Sequence, residues 1–300
     1  MKRFLVFLMA LVTVLSLAAC HKEDTTPEQS GTDGQVTTGP AGETQPPVAV
    51  DRKEMVVLAG VSATNSDGSK PYEFKWALLE KRLISSVTAQ MGGSERNVEF
   101  AYRENDRTVV ATGMADITVS FGWDEDGRIV SIVEKSTGGD YGIAYAYDGD
   151  GNRIEKTVSR NDAVASKTVY TYDAEGKLVT QTTTLPDGTV SSETDYTYND
   201  NGDLIKEVSQ WQNDEPVVTK YSYTYNDNKQ AVLRLTLDAQ GAQVSKTEYT
   251  YDESGKLTRE TLSGDGSMER TVEYTYETVR MSDAEHTLYR MLMEYMENWY

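Results

Sequence analysis

Aromatic-x-aromatic pairs recur through this 300-residue chain: Phe121/Trp123, Tyr145/Tyr147, Tyr170/Tyr172, Tyr196/Tyr198, Tyr223/Tyr225, Tyr249/Tyr251 and Tyr274/Tyr276. Their second members lie 24, 25, 26, 27, 26 and 25 residues apart. A period of this length marks a repeat array, in which each unit buries its apolar face only against its neighbours. A turn rich in Asp, Asn and Gly follows nearly every pair, as in Asp173-Ala-Glu-Gly176, Asn199-Asp-Asn-Gly202 and Asp252-Glu-Ser-Gly255. An apolar residue (Ile129, Ile154, Leu178, Leu204 or Leu257) then reopens a Thr-rich run, and a second turn such as Pro186-Asp187-Gly188 divides the repeat. Each unit therefore reads as two strands of about 8 residues joined by hairpin turns.

The turn geometry can be worked out for one unit. With Gly176 left-handed in a three-residue loop, Tyr172 pairs with Leu178 and Tyr170 with Thr180. Alternation then gives a tyrosine-rich inner face and a Thr/Lys/Glu outer face. The same count puts Lys156, Thr180, Lys206 and Arg259 inside, beside the tyrosines.

Tyr172-Asp-Ala-Glu-Gly-Lys-Leu178 and Tyr251-Asp-Glu-Ser-Gly-Lys-Leu257 resemble the YD-repeat (RHS-repeat) family and its Tyr-Asp-x-x-Gly-(Arg/Lys)-Leu core. Trp123-Asp-Glu-Asp-Gly-Arg-Ile129 is close, and Tyr225-Asn-Asp-Asn-Lys-Gln-Ala231 is degenerate. The resemblance covers residues 80–280 and implies a continuous antiparallel meander. In large members the sheet winds into a shell around a toxin; here the repeats are longer and too few to enclose a protein. The chain looks more like small repeat lipoproteins of unknown function, some with barrel-like sheets.

The expected fold is all-β: an antiparallel up-and-down meander of repeated hairpins over residues 51–280, about 14–16 strands by the typical strand length. Arg82–Ala89, Asn97–Arg103 and Thr108–Thr112 read as strands, while Tyr72–Glu80 suits a strand or a short helix. Such a sheet covers its apolar face by closing into a barrel or by staying open beneath a cover. One cover lies at residues 281–300. Ser282-Asp-Ala-Glu285 matches a capping box, and Leu288, Met291, Leu292, Tyr295, Met296 and Trp299 form a wide apolar arc that needs a partner surface. A helix packed on the sheet or plugging it is expected.

The N-terminus carries an address. Lys2 and Arg3 precede an apolar run from Phe4 to Leu17, and Leu17-Ala18-Ala19-Cys20 closes it with small residues. The order marks a secretory signal and resembles the lipobox signals, in which the cysteine is acylated and becomes the first residue. The alternatives are an ordinary signal or a transmembrane anchor, for which the run is short. Residues 1–19 thus read as a lipoprotein signal and residues 20–50 as a lipid-anchored flexible linker, too poor in apolar side chains to offset ordering entropy. Glu23 and Asp24 resemble the surface-export signals of some lipoproteins. Cys20 is the only cysteine, so disulfides play no part in stability.

Removing residues 1–19 takes away Lys2 and Arg3 and leaves 27 basic against 48 acidic residues, a net charge of −21. That balance argues against nucleic acid and against anionic lipid, leaving membrane contact to the lipid alone. The two histidines, His21 and His286, fall in the stalk and the helix, which excludes Ser-His-Asp, Cys-His and His-ligated zinc centres. No cofactor motif occurs. Asp124-Glu-Asp-Gly127 and Asp148-Gly-Asp-Gly-Asn152 resemble pieces of calcium loops, but Asp, Asn and Gly are also what such turns need. Charged outer-face residues such as Glu193, Asp195, Lys246, Glu248 and Glu273 speak against a membrane-spanning barrel.

What is left is a non-enzymatic, lipid-anchored extracytoplasmic protein, a binding or interaction module of the cell envelope. Tyr147, Tyr172, Tyr198, Tyr225 and Tyr251, with Lys156, Lys206 and Arg259, form the candidate lining for a glycan, peptide or protein ligand. The competing readings are a carbohydrate-active enzyme or its accessory subunit, which needs two inward carboxylates, and a structural spacer.

Overall fold

The computed structural model describes residues 51–297 other than 80–82, 92, 115, 116, 265 and 267. The signal, Cys20, the stalk with His21, and Trp299 lie outside the described residues. The strands follow the chain as β1 (Lys53–Asn65), β2 (Tyr72–Leu79), β3 (Leu83–Met91), β4 (Ser94–Arg103), β5 (Thr108–Met114) and β6 (Ile117–Trp123). Next come β7 (Ile129–Ser136), β8 (Gly139–Tyr147), β9 (Arg153–Arg160), β10 (Ala163–Tyr172), β11 (Leu178–Thr184) and β12 (Val190–Tyr198). The last are β13 (Leu204–Trp211), β14 (Val217–Tyr225), β15 (Ala231–Leu237), β16 (Gln243–Tyr251), β17 (Leu257–Gly264) and β18 (Arg270–Met281), followed by helix α1 (Asp283–Glu297).

Each strand pairs antiparallel with the next, and β1 pairs with both β18 and β2, so the 18-stranded sheet closes on itself. Closure leaves no edge open to another chain. Residues 72–79 take the strand alternative, as β2. The long β1, which carries no aromatic pair to announce it, supplies the closing seam.

The turn after each tyrosine pair is clamped by its first side chain. Asp173 Oδ1 accepts the backbone N–H groups of Glu175 (3.0 Å) and Lys177 (2.8 Å). Asp124, Asp148, Asn199, Asn226 and Asp252 do the same in their turns. Gly176 is left-handed at φ +79°, and Lys229 takes up that conformation at +61° in the degenerate turn, a strained position for a side-chain-bearing residue. The two calcium-like stretches are these clamps: Asp124 also pairs with Arg128 at 2.7 Å, and Asp148 Oδ2 accepts from Asn152 Nδ2 at 3.0 Å.

A bulge follows each turn and corrects the predicted register. Tyr172 does pair with Leu178, but Thr171 pairs with Thr180 and Tyr170 with Gln181. The extra residue, Val179, flips everything beyond it to the other face. Lys206 opposes Thr197 and Arg259 opposes Thr250, so Thr180, Lys206 and Arg259 point outward. Strand β9 differs. There Arg153 takes the position opposite Tyr147, Lys156 faces Tyr145, and Ile154 is exposed.

The tyrosines repair a consequence of this geometry. Between successive units the backbone ladder stops short, as β9–β10 does at Glu155 and Val169. Three residues further along β10, the Tyr172 hydroxyl donates to the Arg153 carbonyl at 2.7 Å. The same offset recurs for Tyr102 to Ile84, Tyr147 to Ile129, Tyr198 to Leu178, Tyr223 to Leu204, Tyr251 to Ala231 and Tyr276 to Leu257, at 2.6–2.9 Å. Each hydroxyl satisfies a carbonyl that strand separation would otherwise leave bare, a net gain of about 1 kcal/mol.

The inner face is divided. Over β1–β8 and β18 it is apolar, with Phe74, Ile84, Val87, Val109, Val119, Phe121 and Ile132 fully buried. Helix α1 packs on this arc through Leu288, Leu292, Met293 and Met296. Its start is fixed by the expected capping box: Ser282 N–H donates to Glu285 Oε2 (2.8 Å) and Glu285 N–H to Ser282 Oγ (3.2 Å). Arg52 also grips Glu285, with Nη2 to Oε1 at 2.8 Å and Nε to Oε2 at 2.9 Å. The Tyr289 hydroxyl donates to the Leu58 carbonyl and the Tyr295 hydroxyl to Glu134. Over β9–β17 the inner face instead mixes tyrosines and polar side chains with Leu178, Leu204, Ala231 and Leu257, which oppose the second tyrosines.

Candidate functional site

In five of the pairs the first tyrosine faces a polar side chain across its hairpin. Tyr145 opposes Lys156, Tyr170 opposes Gln181, Tyr196 opposes Glu207, Tyr223 opposes Arg234 and Tyr249 opposes Glu260. This row divides into two parts by burial. At one end Arg234 and Glu260 are 5% and 2% exposed. Arg234 Nη2 donates to Thr247 Oγ1 (3.3 Å), and its guanidinium sits 5.7 Å from the centre of the Tyr221 ring. Glu260 accepts from the Tyr274 hydroxyl at 2.9 Å. Burial raises the Glu260 carboxyl above the usual range, against the pull of Tyr274 and Arg234. Groups so enclosed serve the wall itself.

At the other end Lys156, Tyr170, Gln181, Tyr196 and Glu207 are only half-buried. Among the α1 contacts described, those on the repeat hairpins reach no further than Arg153 on β9. This arc from β9 to β13 offers aromatic faces, the cations Arg153 and Lys156, one amide and one carboxylate to the interior. Lys156 is held below the usual lysine range by burial and by Arg153, with Glu294 opposing.

The predicted lining residues therefore separate. Tyr147, Tyr172, Tyr198 and Tyr251 lie on the inner face, their hydroxyls spent on carbonyls. Tyr225 is inside as well and donates to Asp203 Oδ2, with Asn199 Nδ2 donating to its oxygen at 2.8 Å. Lys156 stands beside them. Lys206 and Arg259 do not: Lys206 opposes Lys220 on the outer wall. Arg259 pairs with Glu273 at 3.0 Å in a shallow outer groove of about 440 Å³. Reasoning on the sequence missed Arg153, Gln181 and Glu207, because one bulge per unit moves the inward position along the chain by one residue. The signal was present in β9, where an arginine, not an aliphatic residue, directly follows the turn.

Outside, Asp195 accepts from Thr180 (3.2 Å), Glu193 from Thr182 (3.3 Å), and Lys246 pairs with Glu248 (3.2 Å). These charged rows interrupt any apolar band of the kind a lipid-facing barrel carries. Among the described residues no helix is long and apolar enough to cross a membrane, and no acidic, histidine or cysteine group is placed to hold a metal.

No protein-family model matches the chain, and no curated protein matches it in sequence. Among solved structures it is similar to a porin-like protein from Bacteroides uniformis, with 11% identity over 73% of this chain and 98% of that one, at a TM-score of 0.45. A porin-like protein from Bacteroides vulgatus gives 10% identity over the same shares at a TM-score of 0.37. The complex TcdB2-TccC3-Cdc42 gives 13% identity over 73% of this chain and 15% of that one, at 0.38. Overlaps this loose transfer no function.

Proposed function

We propose that this chain is a lipid-tethered, non-enzymatic protein of the bacterial envelope whose barrel binds a short oligosaccharide or peptide against its inner wall. The observation that supports the reading is the half-buried arc of Tyr170, Tyr196, Lys156, Gln181 and Glu207, which lies beside the apolar arc that α1 covers, with Glu294 of α1 near its Lys156 edge. A wall meant only to be filled would carry apolar side chains there, as β1–β8 do with Phe74, Val87, Val109 and Phe121. Aromatic faces with a few convergent polar groups are the usual make-up of a small-ligand site.

The envelope location rests on Lys2, Arg3, the apolar run and Cys20, and the YD-repeat kinship on the turn motifs. Two experiments test the reading. Metabolic labelling with palmitate should mark the protein and fail on Cys20→Ala. Thermal shifts against a panel of glycans and peptides should find a stabilising ligand whose effect is lost in Tyr170→Ala and Tyr196→Ala. A ligand indifferent to both changes, or a panel with no ligand at all, would favour the structural spacer.

A further inference from the structure

Strand β9 carries three cations on its inner face: Arg153 opposite Tyr147, Lys156 opposite Tyr145 and Arg160 opposite Tyr141. In a chain of net charge −19, such a stripe is out of keeping with its surroundings. It also departs from the repeat. The position of Arg153 holds Ile129, Leu178, Leu204, Ala231 and Leu257 in the other units. Ile154 takes the bulge position that Val179 holds in β11, and the two inward positions around it are filled by Arg153 and Lys156.

The strand's own acid does not answer these charges, since Glu155 points the other way and pairs with Lys167 at 2.8 Å. A carboxylate does reach Arg153 from α1. Glu294 Oε1 lies 3.2 Å from Arg153 Nη1, with the arginine side chain 24% exposed and the glutamate 53%. Arg153 Nε is buried without a hydrogen-bond partner. The guanidinium lies 4.3 Å from the centre of the Tyr145 ring, and the space of about 40 Å³ beside it, between Ile132, Tyr145, Met291 and Tyr295, has room for about one water, so a ligand must take the place of Glu294. The corner thus already accepts a carboxylate, from a residue that solvent reaches, and leaves a donor unused.

We infer that the β9 stripe is the recognition element of the inner wall, and that it takes a short, carboxylate-bearing sugar. This rests on the binding reading above and supplies its ligand class. Arg153 and Lys156 would hold the carboxylate, Arg153 with the fork geometry that suits it. Tyr145 already carries the Arg153 guanidinium on its ring, and Tyr170, on the next strand, would present a flat face to the sugar ring. Glu294 is a stand-in that the ligand displaces. The acidic surface repels long polyanions, which limits the ligand to a short one.

Neighbouring units supply the variants. Arg153→Leu with Lys156→Gln rewrites β9 with the residues that Leu178 and Gln181 place at the same positions in β11, so the fold should persist. The full chain is titrated with glucuronate and with glucose, following tyrosine fluorescence. Glucuronate should bind the unaltered protein and bind at least roughly tenfold more weakly to the double variant, the size expected for lost charge-assisted bonds. Glu294→Gln should tighten it. Glucose should bind no better to one form than another. Equal glucuronate affinity in the double variant, no glucuronate binding, or weaker binding in Glu294→Gln would each overturn the inference. So would an acetylated Asp-Glu peptide that binds more tightly than glucuronate. A neutral glycan lost in Tyr170→Ala, yet indifferent to the β9 changes, would overturn the carboxylate reading while keeping the wall as a binding surface.

Discussion

The Tyr289 hydroxyl of α1 donates to the Leu58 carbonyl of β1, and this bond completes a pattern otherwise made within the sheet. Leu58 pairs with Tyr276 and is followed by a bulge before Gly60, as Leu178 is after Tyr172. The β1–β2 ladder ends at Gly60 and Lys75. Three residues beyond Lys75 stands Leu78, where other strands carry a tyrosine. The helix supplies the missing hydroxyl at the closing seam, so sheet closure and helix docking are coupled. Truncation after Met281 removes Tyr289 together with Leu288, Leu292, Met293 and Met296. It should lower the melting temperature of the whole barrel in one transition. A milder test is Leu292→Ala, expected to cost about 2–5 kcal/mol in urea unfolding.

High pH should open the barrel. Burial pushes the hydroxyls of Tyr172, Tyr251 and Tyr276 up to about 12. A group whose folded pKa is raised contributes stability that is present below its unfolded value and lost as pH climbs toward the folded one. Stability should therefore hold up to about pH 10, the ordinary tyrosine value, and fall steeply above it. Phenolate absorbance and circular dichroism should change together; ionisation of these tyrosines near pH 10 with the fold intact would contradict the ladder.

Gly127 is pinned by the helix. A Cβ there would come within 1.9 Å of the Ala284 carbonyl oxygen, whereas one at Gly188 meets nothing within 4 Å. Both glycines are left-handed, at φ +78° and +84°. Gly188→Ala should cost only the backbone term of about 1–2 kcal/mol. Gly127→Ala should cost more and should also weaken the Arg52–Glu285 contact next to it, read as faster amide exchange at the start of α1.

Mild acid should loosen α1. Burial, with Arg290 and Lys53 nearby, holds His286 below the ordinary histidine value, against Asp283. With the folded pKa depressed, the unfolded chain takes up its proton first, so stability falls as pH drops through about 6.5. The melting temperature of the unaltered protein should decline between about pH 7.5 and 5.5, and His286→Asn should flatten that decline.

Much of this was legible in the sequence, for a physical reason. Tyrosine spacing and Asp/Gly turns are local signals, and they specify the hairpins, the antiparallel meander and the first pair after each turn, Tyr172 with Leu178. The capping box at Ser282 is local as well. The bulge at Val179 is not encoded in any residue type. It arises from the twist that lets the hairpin close, and missing it moved Lys206 and Arg259 to the wrong face and hid Gln181 and Glu207. Closure through β1 was invisible because that strand belongs to no repeat. The role of the second tyrosines was hidden too, since a hydroxyl reaching a carbonyl 18 to 20 residues back leaves no mark on periodicity.

The most direct test of the tyrosine ladder is a set of single Tyr→Phe changes followed by urea unfolding. Tyr147, Tyr172, Tyr198, Tyr251, Tyr276 and Tyr289 donate to backbone carbonyls. Tyr221 and Tyr249 are buried to a similar degree and donate to none. Each ladder tyrosine should lose about 1 kcal/mol on losing its hydroxyl, and Tyr221→Phe and Tyr249→Phe should change little. No loss in either group, or equal losses in both, would show that the carbonyl-bound hydroxyls carry no special share of the stability and that no ladder holds the units together.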